Sequence, residues 1–322
     1  MSVRIAVVGA GAVAARHVRV LSGFDDARVV AVADPVVGSA ERLAAACGAT
    51  AYTDAEQALD DARPDAVYVC VPPFAHGGPE RAGLARALPL FVEKPLAADL
   101  DTAEKLRREV EAAGVVTGTG YHWRCLDTVE HAAALLADAP ARLVTGSWLD
   151  KVPPPAWWPT HRLSGGQAVE QLTHVVDLAR RLVGEVDEVS ATGSRHGGSP
   201  GDADDVTAAT LRFATGAVGT MAASSLLAGK HRAALETVSP GGLVLVLSEQ
   251  RLVVHRNGRT EVRKPTVDGH TAVDREFLDA VLGRRESTRV PYAEACATHR
   301  VATAIARSAA AGAPFSPSAV SA

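Results

Sequence analysis

The chain reads as an α/β protein: a doubly wound parallel sheet at the N-terminus, then a second α/β domain with a large open, mainly antiparallel sheet. Three observations carry this. Short β-branched runs alternate with helix-like stretches over residues 1–120, a Gly-x-Gly-x-x-Ala turn joins the first such pair, and beyond residue 121 the pattern changes to closely spaced short runs separated by turn residues.

The first run, residues 4–8, breaks at Gly9-Ala10-Gly11 and continues as a helical pattern over 12–21. Strand, tight turn and helix at this spacing form the Rossmann dinucleotide fingerprint. Gly9 permits the turn, Gly11 lets backbone approach a pyrophosphate, and Ala14 lets the helix lie close to the strand. Backbone N–H groups of Ala12 and Val13 at the helix start then face the phosphates. A second run, 29–33, ends at Asp34, twenty residues after Ala14, where an acid accepts hydrogen bonds from ribose hydroxyls. An acid there disfavours a 2′-phosphate, so NAD is preferred over NADP. Pro35 agrees, while Arg42 weakens the preference. The same segment mimics a signal peptide, with Arg4 and an Ala12-Val13-Ala14 string, but its apolar core is too short and is broken by glycines.

Further strands are expected at 66–71, 90–92 and 115–119. In such a sheet ligands sit beyond the carboxyl ends of the strands, where Gly9, Asp34, Pro72, Pro73 and Lys94 fall. Past residue 121, helices are expected at 126–136 and 167–182, and strands at 142–150, 186–192, 206–213, 218–224, 233–238, 243–247, 251–255 and 261–263. Thr215-Gly216 and Asn257-Gly258 are hairpin turns, residues 193–205 read as an exposed loop, and 292–310 reads as a helix returning to the body. The division is therefore 1–120 for dinucleotide binding and 121–322 for substrate binding and assembly, two domains sharing one cleft. One face of the open sheet needs cover, which a second copy supplies in a dimer or tetramer.

Composition narrows the partners. Hydrophobic residues make up 47% of the 322, enough for a large core, and 33 basic against 37 acidic residues without a basic block argue against nucleic acid. No run is long enough to span a bilayer. Cys47, Cys70, Cys125 and Cys296 are scattered without a Cys-x-x-Cys pair, which suits a reducing cytoplasm.

Residues 90–95, Leu-Phe-Val-Glu-Lys-Pro, bring Lys94 to a strand end inside this expected site. Removing hydride from a carbinol leaves a hydroxyl proton that a base must accept. A free lysine holds its proton to roughly pH 10.4, so catalysis near neutrality needs burial and a neighbouring positive ring to loosen it. Glu93 alternates to the other face, beside the cofactor rather than paired with Lys94, and Pro95 stops the strand, in a cis bond as a guess. On the helix over 167–182, Val169, Leu172, Val176, Ala179 and Val183 form a buried stripe. Glu170, His174, Asp177 and Arg181 form a second one bordering it. Its plainer reading is a surface charge ladder with Asp177 and Arg181 as members. Glu170 and His174 have metal-ligand spacing but no evident third ligand, so no metal is expected. His76 either lines the cofactor pocket or begins a helix. Trp157, Trp158, His161 and Arg162 lie on a Pro-rich loop over 152–163, which either covers the cofactor cleft, bringing Trp158 and Arg162 to it, or is anchored by its tryptophans.

Taken together, Gly9-Ala10-Gly11, Val71-Pro72-Pro73-Phe74-Ala75-His76, Glu93-Lys94-Pro95, and Gly165-Gly166 leading to Glu170, His174 and Asp177 resemble the glucose-fructose oxidoreductase / inositol dehydrogenase family (Gfo/Idh/MocA) over nearly the whole chain. The resemblance implies a nicotinamide-dependent oxidoreductase acting on a sugar, inositol or polyol carbon. By position Lys94 resembles the family's catalytic lysine and His174 its second acid/base residue, with Arg124 near substrate hydroxyls. Glu170 stands where the family more often has Asp, and Ser164-Gly165-Gly166-Gln167 departs from its commoner triple glycine. Two other functions fit the same fold: NAD-dependent redox-assisted glycoside cleavage, and a non-catalytic cofactor sensor. A sensor needs neither Lys94 nor His174.

Overall fold

The computed structural model describes residues 2–196 and 201–318. The chain begins with β1 (Val3–Val8), α1 (Ala12–Leu21), β2 (Ala27–Ala33), α2 (Val37–Cys47), β3 (Thr50–Tyr52), α3 (Ala55–Ala62), β4 (Ala66–Val69), α4 (Gly78–Leu84), β5 (Leu90–Val92), α5 (Leu100–Ala113) and β6 (Thr117–Thr119). It continues through α6 (Asp127–Asp138), β7 (Leu143–Leu149), the short α7 (His161–Ser164), α8 (Thr173–Val183), β8 (Val186–Ser194), β9 (Val206–Phe213) and β10 (Val218–Ser224). Then come β11 (Arg232–Ser239), β12 (Leu243–Ser248), β13 (Arg251–Arg256), β14 (Arg259–Arg263), α9 (Gly269–Val281) and α10 (Tyr292–Ala311). Two compact units result: residues 1–97, 101–122 and 269–296, and residues 98–100, 123–268 and 297–322.

In the first unit the six strands lie in the order β3-β2-β1-β4-β5-β6, every pair parallel. The order reverses between β1 and β4, which is the switch point where such sheets bind ligands. All residues of β4 and β5 are buried, as expected of parallel strands covered on both faces. The strand expected over 66–71 stops at Val69 because Pro72 and Pro73 cannot extend the ladder, and β3 is too short to stand out by periodicity. Residues 269–296 fold with this unit, although sequence pattern alone groups them with the second domain. Thr288 Oγ1 donates to the Thr117 carbonyl at 2.7 Å, the Tyr292 N–H donates to Thr117 Oγ1 at 2.9 Å, and Phe277 packs edge-on to the stacked Tyr68 and Phe91 rings.

In the second unit eight strands lie in the order β14-β13-β12-β11-β7-β10-β9-β8, antiparallel except for the β7–β10 pair. Burial alternates along β9 and β10, so one sheet face enters the core and the other does not. The core joins Val144, Leu211, Met221 and Leu235 of the sheet to Leu178 of α8 and Ile305 of α10. Asn257 (φ 54°) and Gly258 (φ 72°) make the expected tight hairpin, since a type I′ turn needs positive φ at both central residues. Of the loop expected over 193–205, Gly193 and Ser194 belong to β8, and residues 197–200 lie outside the described residues. Among the described residues no helix is long and apolar enough to cross a membrane.

Candidate active site

The carboxyl edge of the parallel sheet is shaped first by glycine. Gly9 holds φ 95°, and a Cβ there would overlap the Cys70 carbonyl beyond β4, so both the turn angle and the close approach require glycine. At Gly11 a Cβ would meet nothing within 4 Å, and no side chain caps the start of α1, where Ala12 and Val13 lie. Ala14 is fully buried against the sheet. Asp34 is held beside the turn: one carboxylate oxygen accepts from the Ala10 N–H and the other from the Val36 N–H, each at 2.8 Å. An open glycine cradle, uncapped helix N–H groups and a carboxylate at one sheet edge suit the pyrophosphate and ribose of a dinucleotide. Arg42 donates to Ser39 Oγ at 3.1 Å.

Pro72 is half-buried and Pro73 opens a 3-10 turn over Pro73–Ala75. His76, read either as lining the cofactor pocket or as beginning a helix, lies just before α4, and its Nε2 has no partner among the described residues. Its side chain is wholly buried, with Nδ1 2.5 Å from Glu80 Oε1, while Glu80 Oε2 accepts from the Gly77 N–H at 2.6 Å. A buried carboxylate needs donors, and the start of α4 supplies them.

Lys94 follows β5, is half-buried, and joins Pro95 through a cis peptide bond. Glu93 is buried. Its carboxylate turns into the unit, where Oε1 lies 2.8 Å from His17 Nε2 and Oε2 accepts the Lys94 backbone N–H at 2.9 Å. Gly120 packs so closely on this carboxylate that a Cβ there would overlap it. On its other side, His17 Nδ1 lies 2.7 Å from Asp274 Oδ1 of α9. Burial alone lowers the His17 pKa, but Asp274 and Glu93 outweigh it and raise it to about 9. Burial likewise pushes Glu93 up, yet His17, Arg16 and Lys94 together bring it down to about 2. Burial dominates at Asp274 and raises it, against the pull of His17. Sequence reasoning missed His17 and Asp274. The available signal was a histidine on the apolar face of α1, in line with Ala14, Val18 and Leu21.

In the second unit, Gly165 and Gly166 (φ 76° and 82°) end α7 and lead into a π-helical turn over Ala168–Leu172 that carries Glu170. Such turns often mark functional sites. Trp158, read as bringing the loop to the cofactor cleft or as anchoring it, is buried with its indole Nε1 donating to Glu170 Oε2 at 3.0 Å. The Pro159 carbonyl accepts from the Asp202 and Ala203 N–H groups, both at 3.0 Å, so the loop is anchored rather than loose. Arg162 is exposed on α7. His174 is buried, with its ring 5.8 Å from Trp123 and 5.6 Å from Trp148, nearly parallel to both. Lys230 Nζ sits 4.3 Å from the Trp148 ring centroid.

The expected surface ladder fails at Asp177, because residues 171–180 are all buried. Asp177 accepts two bonds from Arg124, Nε to Oδ2 and Nη2 to Oδ1, each at 2.7 Å, and a third from Thr298 Oγ1 at 2.9 Å. Arg124 is therefore held in a buried bidentate pair. Arg181 does reach the surface, 3.7 Å from Glu130.

A model of the oxidoreductase family with an NAD-binding Rossmann fold, GFO_IDH_MocA, matches residues 3–121, and the GFO/IDH/MocA C-terminal domain matches residues 140–256. The chain belongs to the Gfo/Idh/MocA family. Gly9, Gly11, Asp34 and Lys94 fall in the first match and Glu170 and His174 in the second, while Arg124 lies between them. Among family relatives, myo-inositol 2-dehydrogenase of Thermotoga maritima is 30% identical over 225 residues, 67% of this chain and 66% of that protein. The scyllo-inositol 2-dehydrogenase (NAD(+)) of Bacillus subtilis is 29% identical over 262 residues, 76% of this chain and 73% of that one. The crystal structure of GenD2 from gentamicin A biosynthesis, in complex with NAD, shares the fold at a TM-score of 0.85 and 24% identity, covering 98% of this chain and 96% of that one.

Proposed function

We propose that the chain is an NAD-dependent dehydrogenase or ketoreductase acting on a carbinol or ketone carbon of a sugar, inositol or sugar-like polyol. The observation that carries this reading is Lys94, half-buried at the carboxyl end of β5 on the same sheet edge as the Gly9 turn and Asp34. Family membership and the two inositol dehydrogenase relatives support the substrate class. Bound NAD supplies the acceptor for the carbinol hydrogen and its bonding electron pair. Lys94 accepts the hydroxyl proton in oxidation and returns it in reduction.

The first unit holds the dinucleotide through Gly9, Gly11, Ala12, Val13 and Asp34, and the second binds the substrate. His174, packed against Trp123 and Trp148, is the second acid/base group, and Glu170, oriented by Trp158, is a substrate ligand. Purified protein offered polyols, lactones and ketosugars is expected to change the NADH absorbance, and Lys94→Ala to lower the rate by about 10²–10⁴-fold. No NAD-linked change on any of them sinks the reading.

The uncovered sheet face, with Leu143 and Val218 exposed, is where a second copy packs in a dimer or tetramer. Light scattering that returns a monomer overturns that assembly. The four free cysteines accord with a cytoplasmic setting.

A further inference from the structure

The proton-transfer role of Lys94 leaves a buried cluster beneath it without a task. His17 is 1% exposed and lies among apolar neighbours, its ring 5.4 Å from Tyr68 and 5.0 Å from Phe91. An apolar side chain would fill that space without the desolvation cost of three ionisable groups, so packing does not account for His17, Glu93 and Asp274. Each ring nitrogen of His17 faces a carboxylate oxygen, at 2.7 Å and 2.8 Å, and the two carboxylates raise the imidazole pKa to about 9, so near neutrality it carries both N–H groups. Glu93 is thereby held ionised, and Gly120 leaves its carboxylate no room to swing away. Its second oxygen grips the backbone N–H of Lys94 at 2.9 Å.

We propose that His17, clamped by Asp274, is a positioning residue: it fixes the Glu93 carboxylate, which in turn locks the backbone of residue 94. This rests on the reading of Lys94 as the proton-transfer group. The other titratable or charged groups around the cluster are Arg16 on α1, Tyr68 on β4, Cys70 just beyond it, Arg275 on α9, and Lys94 itself. Burial drives the Tyr68 hydroxyl and the Cys70 thiol well above their ordinary ranges, so both stay neutral.

The test uses the full-length, NAD-loaded protein and three near-isosteric variants, Glu93→Gln, Asp274→Asn and His17→Asn. Acetic anhydride labelling of Lys94 is followed by peptide mass spectrometry from neutral to alkaline pH, with Lys105 as the internal standard. Losing the Glu93 grip on the backbone N–H loosens Lys94. It should therefore label about tenfold faster in Glu93→Gln, and in the same direction in the other two, with Lys105 and NAD affinity unchanged. Turnover should move the opposite way, falling as labelling rises, with a shifted pH–rate profile. A general loosening of the unit raises labelling at Lys105 as well and overturns the proposal. So does a Lys94 labelling profile identical to the parent in Glu93→Gln and Asp274→Asn, and these two variants decide even if His17→Asn does not fold. Labelling needs no substrate, so failure to find turnover on any polyol counts against the activity alone. Turnover that depends on Lys94, with labelling unchanged in the variants, counts against the positioning role alone.

Discussion

Each compact unit buries an ion-pair network, and the two are built on different cations. In the second unit Arg124 grips Asp177, Asp177 accepts from Thr298, and Thr298 Oγ1 accepts from Arg180 at 2.7 Å. A guanidinium stays charged across the whole working pH range, so this network is a permanent tie between the turn before α6, helix α8 and helix α10. In the first unit the cation is His17, whose charge depends on pH, and its chain of contacts ends on the backbone of Lys94. Similar burial thus serves two purposes: one network holds helices together, while the other attaches a titratable charge to the residue proposed to move a proton.

The largest effect that sharpens this contrast is expected from Arg124→Ala. It strands the buried Asp177 carboxylate and should cost about 3–5 kcal/mol in denaturant unfolding of the second unit, with Arg124→Lys restoring only part because the bidentate geometry is lost. An unaltered midpoint would break the comparison at once.

Next comes pH. The folded-state pKa of His17, about 9, lies above its ordinary 6.5, so its stabilisation is complete below 6.5 and is lost as pH rises through 9. Glu93, at about 2 against an ordinary 4.5, contributes above 4.5 and loses that contribution as pH falls toward 2. Hydrogen exchange on peptides of the first unit should reveal an alkaline loss on the order of 2–3 kcal/mol, flattened in His17→Asn, while α8 peptides of the second unit stay protected over the same range. Equal alkaline loss in both units would show that the choice of cation does not matter.

A smaller change is expected from Trp158→Phe, which deletes the donor to Glu170. It should cost about 1 kcal/mol and raise KM by roughly fivefold with kcat nearly kept. A fall in kcat alone would move Glu170 from substrate binding to the chemical step. Least of all, Arg181→Ala should shift stability by no more than about 0.5 kcal/mol, because its pair with Glu130 is exposed on both sides. A larger loss would mean that the surface end of α8 shares the tie made by Asp177.

These cases also mark how far the site was legible. Gly9, Asp34 and Lys94 were readable because each sits where a strand ends and a turn of fixed geometry begins. The contacts of Glu93 were not readable, because strand alternation gives the face a side chain leaves from, but not that a carboxylate curls back to accept its neighbour's N–H. Asp177 and Arg181 share one helix stripe and look alike as letters. One is buried under Arg124 and Thr298 while the other meets solvent, since α8 is covered along most of its length. The partners of His76 and Trp158 were not legible either: His76 pairs with the buried Glu80, and Trp158 donates to the half-buried Glu170.

The amino-acid order alone determined the strand–turn–helix opening, the change from parallel to antiparallel pattern, and the Asn257-Gly258 hairpin, because these depend on backbone angles and periodicity within a few residues. Tertiary structure alone decided which charges meet: His17 finds Asp274 257 positions away, and Arg124 finds Asp177 across 53. Such partners are set by how helices and sheets dock, a long-range packing outcome that local sequence does not encode. That docking places a charged imidazole under Lys94 in one unit and a permanent arginine tie in the other.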